Sequence, residues 1–166
     1  MKKKIVVFIM FMNLLLLSSC FELGGRFVAK EQKANERMEK IVAAIRDKDK
    51  ESLKCLFSKK AIEEAEDFDS DADYLFELIQ GNIESWELDG WSSDGLIDYG
   101  KRSLMIRYPF YLITDENVYH FYVIDYSTDT IDPDNEGIYM LELIKFTDEE
   151  DLDYWTNRMR AGIYIH

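Results

Sequence analysis

The chain has 166 residues, of which 47% are hydrophobic and 14% aromatic. That is enough for one folded domain and too apolar for a disordered tail. Its formal charge of -13, without any stripe of Lys and Arg, repels polyanions; this sets nucleic acid aside and disfavours adhesion of the protein surface to anionic headgroups.

The first twenty residues read as a targeting segment. Lys2, Lys3 and Lys4 make a basic start, residues 5–17 are apolar except for Asn13, and Ser18 and Ser19 follow. This is secretory signal architecture, and the apolar run falls short of the roughly 20 residues that cross a bilayer. Leu17-Ser18-Ser19-Cys20 resembles the lipobox of bacterial lipoproteins. The resemblance implies that the Cys20 thiol takes diacylglycerol and the chain is cut just before it. Two acyl chains anchor stably where one does not. The alternatives are ordinary secretion or an uncleaved N-terminal anchor. The expected organisation is a signal peptide over 1–19, a flexible lipid-attached tether over 20–26 containing Gly24 and Gly25, and one domain over 27–166. With Cys20 acylated, Cys55 has no disulfide partner; the other reading is a Cys20 to Cys55 bridge.

Met38, Ile41, Val42 and Ile45 recur at helical spacing within 34–45 and predict a helix. Leu53, Leu56 and Phe57 suggest a second helix and residues 62–68 a third, while Asp71 is placed to cap a fourth that carries Leu75, Leu78 and Ile79. After Gly81 the character changes. Residues 83–88, 102–113, 118–126 and 138–146 are rich in aromatic and β-branched side chains and read as strands, joined by turns at 114–117 and 132–137. Helices followed by an antiparallel meander of about four strands define the α+β class, with N-terminal helices packed on a curved sheet.

Several clusters invite a functional reading. Asp67, Asp69, Asp71 and Asp73 alternate as calcium ligands do, but the sixth position is Ala72 and the twelfth Leu78, so no EF-hand is present. From Asp132, Gly137 does stand sixth, yet Leu143 stands twelfth, and a rigid turn is the better reading. His120 and His166 are too few for a zinc site, and no metal is expected. Nucleophile elbows, phosphate loops and dinucleotide fingerprints are absent from the sequence, so no cofactor is implied.

In 118–126 alternation sends His120, Tyr122 and Tyr126 to one face and Asp125 to the other, where apolar surroundings would raise its pKa. A carboxylate beside phenolic donors is the chemistry of proton-transfer enzymes; Asp125, His120 and Tyr122 are the catalytic candidates on that reading. A ligand pocket lined by Trp86, Tyr108, Tyr122 and Tyr126 is the alternative, and an aromatic core the simplest account.

The lipobox, IESWEL at 83–88, DPDNEG at 132–137 with Tyr139, the Tyr154 and Trp155 pair, and GIYI at 162–165 together resemble the bacterial lipoprotein family called domain of unknown function 5104. The resemblance implies a fold similar to nuclear transport factor 2, a cone of curved sheet around helices, and implies no activity. The expected function is an outward-facing, lipid-anchored protein of the bacterial cell membrane that binds a small ligand or an envelope protein without catalysis. The alternative is a small acid-base enzyme of isomerase or dehydratase type.

Overall fold

The computed structural model describes residues 29–144 and 159–165. The segments expected as signal peptide and tether, Cys20, Phe146, Tyr154, Trp155 and His166 lie outside them. The chain divides into two units, residues 1–33 and 34–166; of the first, residues 29–33 are described and are helical.

In the second unit, helix α1 covers 34–47 and buries Ala34, Met38, Ile41, Val42 and Ile45, the stripe its spacing predicts. Three shorter helices follow, each opened by a side-chain cap that satisfies an otherwise orphaned backbone N–H. Asp49 accepts from Ser52 N at 3.0 Å to start α2 (Lys50–Lys54). Ser58 accepts from Ala61 N at 3.0 Å to start α3 (Lys59–Glu64). Asp67, not Asp71, accepts from Ser70 N at 3.1 Å and starts α4 (Phe68–Leu78). Asp71 instead lies in the first turn, where a negative charge favours the helix dipole. Tyr119 closes α4 from the sheet, its hydroxyl donating to Leu78 O at 3.2 Å and accepting from Gln80 N at 2.8 Å.

The described residues form a mixed sheet of six strands rather than about four: β1 (Ile83–Leu88), β2 (Ser92–Asp98), β3 (Lys101–Thr114), β4 (Val118–Asp129), β5 (Gly137–Ile144) and β6 (Gly162–Ile165). The order is β1-β3-β4-β5-β6, antiparallel until β6 pairs with β5 in parallel. One edge of the long β3 serves two partners, β1 at residues 110–114 and β2 at residues 101–107. Pro109 stands at the gap between them, where its missing N–H costs no ladder bond, and its carbonyl accepts from Asp89 N at 3.0 Å. Register shifts at Leu104/Met105 and Ile124/Asp125 mark bulges, which bend and twist a strand pair.

The helices cover one face of the sheet. On it Ile106, Tyr108, Phe110 and Leu112 of β3 meet Tyr119, Phe121, Val123 and Asp125 of β4, and the apolar ones pack against Met38, Ile41, Leu53 and Leu75. Phe110 and Phe121 stack at 4.8 Å. The segment after α2 is stitched to the start of β5, Ser58 N donating to Ile138 O at 2.8 Å and Ile138 N to Leu56 O at 3.0 Å.

Candidate functional site

Within this apolar interior one charged pair is enclosed. Asp125, with 6% of its side chain exposed, receives the Arg37 guanidinium as a fork: Nε at 2.7 Å from Oδ2 and Nη2 at 3.3 Å from Oδ1. The third nitrogen, Nη1, donates to Leu56 O at 3.4 Å. Such a fork is the geometry in which a guanidinium and a carboxylate match best. Arg37 sits three residues after Ala34 and four before Ile41, inside the apolar stripe of α1, so the helix itself directs it at the sheet.

Tyr108 completes the cluster. It is fully buried, and its hydroxyl has no hydrogen-bond partner among the described residues. Burial first, and the Asp125 carboxylate second, push its phenol well above the ordinary value, with Arg37 offsetting part of the effect. The hydroxyl is therefore a neutral donor near physiological pH. An unpaired buried hydroxyl costs stability, because the unfolded chain hydrates it. Tyr108→Phe should accordingly stabilise the domain by about 1 kcal/mol in urea unfolding; a loss of stability would show that the hydroxyl has a partner.

The pocket expected from Trp86, Tyr108, Tyr122 and Tyr126 is not assembled. Tyr108 pairs with Val123 and Tyr122 with Pro109, so the two tyrosines stand on opposite faces of the sheet. Trp86, opposite Leu112, shares the helix-covered face with Tyr108. Tyr126 follows Tyr122 and Ile124 in alternation on the other face and meets Tyr139 edge-on at 6.1 Å. The same alternation separates the proposed catalytic residues: Asp125 faces the helices, whereas His120 and Tyr122 face away. His120 is buried and stacks on Tyr111 at 4.6 Å. A cleft lined by Ile45, Arg46, Phe76, Ile79, Asn82 and Ile83 contains none of these residues.

The acidic runs also find structural employment. Asp67 caps α4, Asp69 pairs with Lys54 at 3.0 Å and Asp73 with Lys50 at 2.6 Å. Asp132 and Asp134 of the Pro133–Asn135 turn hold Lys60 and Lys59, each at 3.0 Å. Among the described residues no group of three or more His, Cys, Asp or Glu is arranged to hold a metal ion.

A family profile described as Domain of unknown function (DUF5104) matches residues 40–146, well over half of the chain. The protein belongs to this family. The match runs from within α1 to just beyond β5, so this DUF5104 member has Tyr108 and Asp125 inside the matched region and Arg37 three residues before it. A search of curated proteins finds no match. Arg37 escapes a reading by composition, since a charged residue among Lys and Glu passes for a solvated one. Its spacing from Ala34 and Ile41 is the signal that marks it.

Proposed function

We propose that this DUF5104 protein is a lipoprotein of the bacterial cell membrane, held outward-facing by diacylglycerol on Cys20, whose domain works by contact through its surface and not by catalysis. The observation that carries the anchor is Leu17-Ser18-Ser19-Cys20 at the end of a basic and then apolar leader. Cys55 is an exposed free thiol, consistent with a domain that stands without a disulfide from Cys20. No helix among the described residues is long and apolar enough to cross a membrane. We further propose that the sheet and helices form a cone similar to that of nuclear transport factor 2.

What supports contact over chemistry is the Arg37 fork. A general base must present a carboxylate oxygen to a substrate within hydrogen-bond reach, and both Asp125 oxygens point at a guanidinium. The helix-covered face around it is filled by fully buried Phe110, Leu112, Phe121, Val123 and Leu141, which favours a surface partner over a ligand inside the cone. An isomerase or dehydratase remains the second reading, on the strength of Tyr108 and Asp125 sharing that face.

Cys20→Ser tests the anchor. The expected result is protein released to the medium or left unprocessed at the signal peptide, with the wild-type chain carrying a diacylglyceryl mass on Cys20. Normal processing and membrane retention of Cys20→Ser would end the lipoprotein reading.

A further inference from the structure

The β2–β3 hairpin ends in a two-residue turn, Tyr99 and Gly100, with Asp98 and Lys101 as the last pair of the ladder. Large apolar side chains project there into water: Leu96 is 59% exposed, Ile97 80% and Tyr99 102%. Leu96 pairs with Ser103 and Ile97 with Arg102. Being adjacent in a strand, the two apolar side chains point to opposite faces, and Tyr99 covers the end. The tip is thus apolar on both sides and at its apex.

The turn carries a second anomaly. Tyr99 has φ 44° and Gly100 φ 82°, the left-handed pair that a tight hairpin of this kind demands and that Asn-Gly supplies at least cost. A tyrosine is a poor choice for this conformation, and a side chain fully in water gains no intramolecular contact to offset it. Strain held in an exposed aromatic is grounds for a functional inference.

We infer that the β2–β3 tip is a bilayer-contact element, seating Leu96, Ile97 and Tyr99 at the headgroup boundary while Lys101 and Arg102 meet lipid phosphates. A protein partner presents one face and leaves the reverse of a hairpin wet; a bilayer surrounds the tip on every side. Tyrosine suits the boundary because its ring is apolar and its hydroxyl polar, and long cationic side chains snorkel to the phosphates. Lys101 and Arg102, both exposed, outnumber Asp98 at the tip. In a chain of charge -13 this is a local reversal, and it answers the general repulsion from anionic lipid at the one place where contact is made. Edge pairing of β2 with a second copy is the competing occupant. It is opposed by the repulsion between two such acidic chains and by the charges of Asp94 and Asp98 along β2, which blunt an edge. The inference rests on the lipoprotein reading for the nearness of the bilayer and on the tip itself for the chemistry.

The test uses the full chain in vesicles of phosphatidylcholine and phosphatidylglycerol. In a Cys55→Ser background, Ile97→Cys carries an environment-sensitive fluorophore, and Glu63→Cys on α3 is the control. The expected result at Ile97 is blue-shifted emission that headgroup-level nitroxide lipids quench about two-fold, since interfacial apolar groups lie roughly 5–10 Å into the boundary; the control should show neither. Water-like emission at Ile97 without quenching overturns the inference. A blue shift that nitroxide lipid does not quench overturns it in favour of a protein partner. Mass spectrometry of Cys20 reports separately on the anchor, and Cys20→Ser chain mixed with the same vesicles should still show quenching at higher lipid concentration. Tyr99→Asn provides the second variant: it should raise the unfolding midpoint while reducing quenching at Ile97, a divergence that simple misfolding would not produce.

Discussion

Arg37→Met should cost the domain about 3 kcal/mol in urea unfolding, with the m-value unchanged. Removing one partner of an enclosed ion pair strands the other charge, and such losses run to about 3–5 kcal/mol. The lower end applies because Arg37 keeps 23% of its side chain in water. Leu56 O keeps its donor from Ile138 N at 3.0 Å when the 3.4 Å contact from Nη1 is lost, so the stranded carboxylate carries the effect. Replacing both charges is a different matter, since an apolar pair of similar volume can be as stable as the ion pair it replaces. Arg37→Met with Asp125→Leu should therefore recover to within about 1 kcal/mol of the parent. If the single variant unfolds within about 0.5 kcal/mol of the parent, the threshold for an ordinary surface change, the fork does not hold the carboxylate. The contact reading would then lose its main support, because a loosely held Asp125 beside Tyr108 is what the proton-transfer reading requires.

Gly137→Ala should be of similar size for an unrelated reason. Gly137 opens β5 with φ 131°, where a side chain is strained at a cost of about 1–3 kcal/mol. An added Cβ would also lie 2.8 Å from Ser58 N, 3.0 Å from Phe57 C and 3.1 Å from Leu56 O. All three are backbone atoms, held by the bonds that join Leu56 and Ser58 to Ile138, so none can yield without parting the helical half from the sheet. The combined loss should be on the order of 3 kcal/mol. Gly95→Ala is the matched control in β2: its Cβ would meet only Leu104 Cδ1 and Ser103 O at 4.0 Å. It should shift stability by no more than about 0.5 kcal/mol. Equal effects at the two positions would show that the close approach of 56–58 to β5 does not exist.

The strands were the most legible part of the fold. IESWEL spans β1 as read, and the two central strands exceed their predicted ranges by one to three residues at an end, because hairpin pairing extends a ladder past the last apolar residue. Ser92–Asp98 gave no strand signal, because Ser92, Ser93, Asp94 and Gly95 break any apolar alternation and leave only the adjacent Leu96 and Ile97, and it exists through its pairing with β3. Asp71 stands as a candidate cap ahead of Leu75, Leu78 and Ile79, yet Phe68 and Ala72 are buried with Leu75 and Phe76 and the helix starts at Asp67. Asp125 was legible as a buried carboxylate from alternation alone. Its partner was not, because Arg37 is 88 residues away in the chain.

By itself, then, the sequence determined what depends on near neighbours: the helical and strand halves, the turns at 114–117 and 132–137, and the opposite faces of His120 and Asp125. Each is set by spacing of two or about four residues and by local turn residues, and needs no knowledge of what lies across the molecule. Only the tertiary structure decided which strands adjoin, and with it whether Tyr108 and Tyr122 share a face. Pairing register turns on a single residue, and a shift of one carries every side chain to the opposite side. It also decided that the enclosed carboxylate meets a guanidinium and not a cavity, since that depends on where α1 crosses the sheet, a matter of packing between distant segments that no local pattern encodes.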